Sequence, residues 1–207
     1  MNANNNNTNI NAFINILLLG DTNVGKSSLF NTYQGDIFRE DILNTWFPEK
    51  FSKKLIFEDK GYTIKIFDTP GSERLRNHIR IYLRFTKIII LVFDMTSKKS
   101  FLELDKILQA IQEDSNLNKY SYILIGNKAD LIDRWEIKEK DGEKFAGIMN
   151  AKFFLSSAKC EPEKFKVFLD EYIEEYIKLH TEELEINRQQ RAINLNRNER
   201  RRRNTCI

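Results

Sequence analysis

The feature that most constrains this chain is a nearly unbroken apolar run, Phe13 to Leu19, that stops on a glycine and leads into Gly20-x-x-x-x-Gly25-Lys26-Ser27. Apolar residues without alternation describe a strand buried on both faces, as in a parallel sheet covered by helices. From Ser27 the pattern turns helical, with Leu29 and Phe30 as the first apolar positions. The glycines therefore occupy a strand-to-helix turn. There they let the backbone wrap tightly and aim successive N–H groups at one point, to which the new helix adds the positive end of its dipole. Gly20, Asp21, Thr22, Asn23, Val24, Gly25, Lys26, Ser27 and Ser28 form a candidate phosphate cradle. In it Lys26 would reach β and γ phosphates and the Ser27 hydroxyl would ligate magnesium. Taken alone, the pattern also fits a kinase, an ATPase, or an ordinary glycine turn beside a solvated lysine.

Further strand candidates are Lys53 to Phe57, Thr63 to Phe67, Lys87 to Phe93, Tyr122 to Ile125 and Lys152 to Leu155. Helical spacing is kept by Phe101, Leu104, Ile107, Leu108 and Ile111, with Ser97 or Ser100 as cap. The pattern also predicts a helix from about Arg134 to Phe145, and another from Pro162 through Tyr176. The connection FEDKGYT reads as a hairpin between adjacent antiparallel strands. Strands and helices in alternation give a doubly wound, mostly parallel α/β sheet of six strands, with one antiparallel edge strand and helices on both faces. In such sheets ligands bind beyond the carboxyl ends of the strands.

Those ends carry the remaining chemistry. After Phe67 comes Asp68-Thr69-Pro70-Gly71-Ser72-Glu73, where Asp68 would hold magnesium through water opposite Ser27 and the Gly71 N–H would meet a γ phosphate. After Ile125 comes Gly126-Asn127-Lys128-Ala129-Asp130, and after Leu155 comes Ser156-Ser157-Ala158-Lys159. Guanine presents its N1–H and 2-amino donors side by side, and the Asp130 carboxylate can accept both. Adenine lacks that pair, and leaving such a buried acceptor unpaired can cost up to about 10⁴-fold. Asn127 would tie this loop to the phosphate loop, the stem of Lys128 can lie over the flat base, and the Ala158 N–H is a natural donor to the guanine O6. In isolation Asn127-Lys128-Ala129-Asp130 also fits a solvated turn with Asp130 as a helix cap. Four such segments in order at strand ends favour a guanine nucleotide and speak against an adenine-specific kinase or ATPase.

Composition bounds the rest. The 207 residues suffice for one domain with a core, and 41% hydrophobic against 30% charged residues is ordinary for a globule. No apolar run approaches a membrane span. The start has neither the basic nor the apolar region of a signal peptide and no glycine after Met1 for myristoylation, and its low-complexity, Asn-rich tract cannot bury anything, so residues 1–9 are expected to be disordered. Two cysteines far apart, Cys160 and Cys206, fit a reducing compartment. From Ile186 onward seven arginines face one glutamate, a local +6 inside a net +3, so the preceding residues carry −3. That shift separates a domain over residues 10–180 from a basic tail over 181–207.

On these motifs the sequence resembles a small GTPase of the Ras superfamily, most like the Rab family, over about Ile10 to Ile177. DTPGSER, YLRF, LVFDMTSKKSF and SSAK carry the likeness beyond the nucleotide motifs. The resemblance implies a P-loop NTPase fold and a GTP/GDP and Mg²⁺ switch regulating vesicle traffic. It makes Thr45 the switch I threonine that ligates magnesium and senses the γ phosphate, and Phe38 the aromatic stacked on guanine, beside a guanine set of Asn127, Lys128, Asp130, Ser157, Ala158 and Lys159. The catalytic set it implies is Lys26, Thr45, Gly71 and the position of Ser72; the metal set is Ser27, Thr45 and Asp68. Effectors would read Thr45, Trp46, Phe47, Ser72 and Glu73, with an exchange factor and a Rab-type activating protein as further partners. The expected location is cytoplasmic, peripheral on the cytosolic face of an endomembrane.

Three departures stand out. Ser72 occupies the place of the family's water-orienting glutamine, and its short side chain predicts weak hydrolysis; the alternative is a hydrolysis-poor, persistently loaded scaffold. TWFPEKF replaces TIGVDF in switch I, which reads either as a partner-specific aromatic face or as Trp46 tucked against the sheet. Cys206, second from last, is not in a Cys-a-a-X box, yet seven arginines ahead of it suit an anionic membrane, with prenylation as a second signal. As a flexible chain, Ile186 to Cys206 would span roughly 25 Å. With no aromatics interleaved, the tail does not favour nucleic acid.

Overall fold

The computed structural model describes residues 12–40, 45, 48–71, 79–114 and 117–205. Its strands are β1 (Ala12–Gly20), β2 (Glu49–Phe57), β3 (Lys60–Asp68), β4 (Ile88–Asp94), β5 (Ser121–Asn127) and β6 (Lys152–Leu155). They form one sheet in the order β2-β3-β1-β4-β5-β6, in which only the β2–β3 pair is antiparallel. The helices are α1 (Lys26–Gln34), α2 (Ile79–Leu83), α3 (Lys98–Asp114), α4 (Glu139–Ile148), α5 (Pro162–Leu179) and α6 (Thr181–Thr205), with 3-10 turns at Leu117–Lys119 and Ile132–Arg134.

The unbroken apolar run of β1 has its explanation in two cores. Ile14, Ile16 and Leu18 join one cluster with Leu29 and Phe30 of α1 and Phe165, Leu169 and Ile173 of α5. Leu17 and Leu19 face the opposite cluster, with Leu104, Ile107 and Ile111 of α3 and Ala146 of α4. Every residue of β4 is buried. Each side chain so covered contributes about 1.5–3 kcal/mol relative to exposure. This two-sided burial fixes β1 and β4 at the centre of the sheet, and with them the edge where β1, β3, β4, β5 and β6 end.

Two expectations differ from the structure. The helix expected from about Arg134 begins at Glu139. The N–H groups of Glu136 and Ile137 both donate to the carbonyl of Met95, at 2.9 and 3.2 Å, which ties that backbone to the end of β4. The helix starts after this tether, with Glu139 and Asp141 in its first turn, where they favour the dipole. The tail is not a flexible chain over its described part. It forms α6, whose 25 residues span about 37 Å at the usual rise. Leu184, 1% exposed, enters the core cluster of β1, α1 and α5. Glu183 pairs with Lys87, and Glu185 with Lys60 at 3.0 Å. Arg188 donates to the Gly61 carbonyl at 2.9 Å, and Arg191 lies over the Phe13 ring at 3.7 Å. No helix among the described residues is long and apolar enough to cross a membrane.

Candidate functional site

At the carboxyl edge of the sheet lies a cleft of about 550 Å³. The loop from β1 to α1 forms one wall, and two of its residues sit in left-handed backbone, Asn23 at φ 63° and Gly25 at φ 93°. A β-carbon on Gly25 would stand 2.2 Å from Asn127 Nδ2, so glycine is needed there for both conformation and space. Asn127 Nδ2 donates to the Val24 carbonyl at 2.8 Å, joining the loop after β5 to the loop after β1. Gly71 lies as close to Thr22: a β-carbon there would meet the Thr22 hydroxyl oxygen at 2.2 Å.

Lys26 is 5% exposed and donates from Nζ to the carbonyls of Asp21, at 2.7 Å, and Gly20, at 3.1 Å. Burial lowers its pKa to about 8, against the opposing pull of Asp68 and Asp21. Asp21 Oδ1 accepts from the Thr22 N–H at 2.7 Å. Ser28 lines the cleft one position beyond Ser27.

Three oxygens converge beside this cradle. Ser27 Oγ donates to Asp68 Oδ2 at 2.6 Å and lies 2.6 Å from Thr45 Oγ1, and Thr45 Oγ1 donates to the same carboxylate oxygen at 3.3 Å. The elements responsible are α1, the loop ahead of β2, and the end of β3. Asp68 is 1% exposed, burial raises its pKa, and its Oδ1 has no hydrogen-bond partner among the described residues. A buried carboxylate with one oxygen unmatched, next to two hydroxyls, is the oxygen-rich donor set a hard divalent cation takes. The residues present therefore fit Mg²⁺.

The far end of the cleft is lined by Phe38, Asn127, Lys128, Asp130 and Ala158. Phe38 packs against the β1–α5 core cluster, and Asp130 is half-buried at the wall. Some atoms differ from their expected partners. The Ala158 N–H faces Asn127 Oδ1 at 3.3 Å, and the Ser157 hydroxyl accepts from the Cys160 N–H at 2.9 Å. Lys159 is paired with Glu40, bridging the loop after β6 to the loop after α1, and that bond raises its pKa. Ser72, Glu73, Trp46, Phe47 and Cys206 lie outside the described residues.

Three contributors escaped the motif reading. The Thr69 hydroxyl donates to the Leu18 carbonyl at 2.6 Å and pins the end of β3 to β1. Asp94, the last residue of β4, pairs with Lys128 at 2.6 Å. Glu40 holds Lys159. Asp94 was findable, since it stands at a strand end on the same edge; the other two depend on contacts between distant segments.

The model of the Ras family matches residues 15–178, more than half of the chain. The chain belongs to the Ras family. As a Ras-family protein it is a small GTP-binding switch on a P-loop NTPase fold, and GTPase activity is the general property of that family. Members bind GTP and GDP, typically with Mg²⁺, and work through effectors, exchange factors and activating proteins. The matched span holds all four strand-end segments and ends inside α5, so α6 lies beyond it.

Proposed function

We propose that this Ras-family protein is a Rab-like switch in intracellular vesicle and membrane traffic, cycling between GTP and GDP and binding effectors in the GTP state. The observation that carries the nucleotide part is the meeting of Ser27, Thr45 and Asp68 within 2.6–3.3 Å of one another. Thr45 comes from the segment ahead of β2, so a ligand engaging this cluster would engage Thr45 too, as expected of a γ-phosphate-dependent switch.

The residue roles follow. The backbone from Gly20 to Ser28 cradles the phosphates with Lys26 and Gly71. Ser27 and Thr45 would hold Mg²⁺, with Asp68 acting through water. Bound there, it would supply positive charge against the phosphate oxygens. Asp130 accepts from the guanine N1–H and 2-amino group, with Phe38 and the Lys128 stem against the base and Ser157, Ala158 and Lys159 closing its edge. Calorimetry with GDP, GTP and ATP in Mg²⁺ tests this set: micromolar or tighter binding of the guanine nucleotides alone is expected, and no heat with either would refute it.

The Rab-type role is supported by DTPGSER, LVFDMTSKKSF and the arginine-rich end of α6, which suits an anionic endomembrane surface, with prenylation of Cys206 as a second anchor. GTP turnover with and without a Rab-type activating protein tests it, and intact mass from a eukaryotic host tests the lipid. Ser72 favours a second reading, a nucleotide-loaded scaffold that hardly hydrolyses. Ser72→Gln is expected to speed single-turnover cleavage at least about tenfold, because the glutamine positions the attacking water; equal rates would end that inference.

A further inference from the structure

Asp94 sits at the end of β4, in register with Asn127 of β5, and the Met95 N–H donates to the Asn127 carbonyl at 3.0 Å. Its carboxylate is nearly sealed from solvent, with 6% of the residue exposed. One oxygen is fully engaged by Thr96, accepting from its N–H at 2.8 Å and its hydroxyl at 2.7 Å. The other oxygen is aimed at Lys128 Nζ, 2.6 Å away. A carboxylate anchored by two donors does not swing, so it fixes the end of the lysine side chain. Lys128 itself leaves β5 in left-handed backbone at φ 60° and lines the cleft together with Asp130, two residues on.

We propose that Asp94 is a specificity-positioning residue for guanine, acting through Lys128; this rests on the nucleotide reading above. The ion pair does two things at once. It draws the ammonium toward β4, which lays the four-carbon stem along the wall of the cleft. It also keeps the only cation of the Asn127–Asp130 loop away from the Asp130 carboxylate. With Asp94 neutral, the ammonium turns to Asp130, the remaining carboxylate of its own loop, and occupies the acceptor that should receive the guanine N1–H and 2-amino group. The cost then falls most on a base that uses both donors, so discrimination among purines changes along with affinity.

The test is competition binding of GDP and inosine diphosphate, which lacks the 2-amino group, to the full chain in Mg²⁺. Asp94→Asn is expected to weaken GDP about tenfold and to narrow the GDP-over-inosine preference about fivefold, the range of coupling seen between contacting charged groups. In a Lys128→Met background the same substitution should leave the preference unmoved, because no ammonium remains to be released. Thr96→Val, which removes one of the two donors that anchor Asp94 but keeps the ion pair, should narrow the preference by less than Asp94→Asn does. Should Asp94→Asn fail to fold, Asp94→Ser keeps an acceptor for the Thr96 N–H and gives the same reading. Wild-type preference in the Asp94 variants, or an equal loss in the Lys128→Met background, would overturn the proposal. Failure of the wild type to bind GDP would instead overturn the nucleotide reading.

Discussion

Leu184 provides the sharpest test of whether the described helix beyond the Ras-family match belongs to the fold. Its side chain is 1% exposed and lies in the cluster built by β1, α1 and α5, whereas Ile186 and Ile193 on the same helix are 55% and 51% exposed. Truncating a buried leucine to alanine costs the lost transfer energy plus a cavity term, together about 2–4 kcal/mol, and the surrounding strands and helix leave little room for collapse. Ile186→Ala and Ile193→Ala, on the exposed side, should stay within about 0.5 kcal/mol of wild type. In urea unfolding with saturating Mg²⁺ and GDP, where ligand linkage contributes equally to every variant, Leu184→Ala should lower the midpoint by about 1 M or more at unchanged slope. If Leu184→Ala and Ile193→Ala unfolded at the same urea concentration, the helix would not be docked in solution and its inclusion in the core would be wrong.

Glu183, on the preceding turn position, has its pKa lowered chiefly by its hydrogen bond from Lys87. A depressed carboxylate stabilises the fold above its unfolded value near 4.5 and loses that contribution as pH falls through the folded value. Glu183→Gln should therefore cost less than about 1 kcal/mol at pH 7, since the pair is partly exposed, and should destabilise less than wild type on acidification below 4.5, read by melting temperature against pH. Asp68→Asn should weaken nucleotide binding in Mg²⁺ yet leave binding in EDTA unchanged, so chelation should speed release in wild type but barely in the variant; an undiminished chelator effect would count against Asp68 in the metal site. Glu40→Gln should speed nucleotide release about two- to fivefold, the scale of an exposed pair. Stopped-flow release of a fluorescent GDP measures this, and an unchanged release rate would refute a bridging role.

The turn from β1 into α1 could be read directly because its parts are contiguous: apolar strand, two glycines, lysine, serine and helix lie close together in the chain, and each states its backbone requirement through residue type. The hairpin at FEDKGYT and the helix starting at Pro162 were legible for the same reason. The start of α4 was not. Trp135 to Lys138 has helical composition, but Glu136 and Ile137 give their N–H groups to Met95, some forty residues earlier in the chain. Asp94 ends β4 at the edge that carries the motifs, yet no pattern along β4 discloses that its partner is Lys128.

The sequence by itself determined which backbone segments become strands and where the glycine turn after β1 gives way to a helix, because these follow from short-range sterics and apolar patterning. Tertiary structure alone decided that the arginine-rich end begins as a docked helix, that Asp94 holds Lys128, and that Glu40 reaches Lys159 across the cleft. Each of these is a contact between segments far apart in sequence whose residues carry no periodic signal, so its free energy exists only once the sheet has brought the partners together.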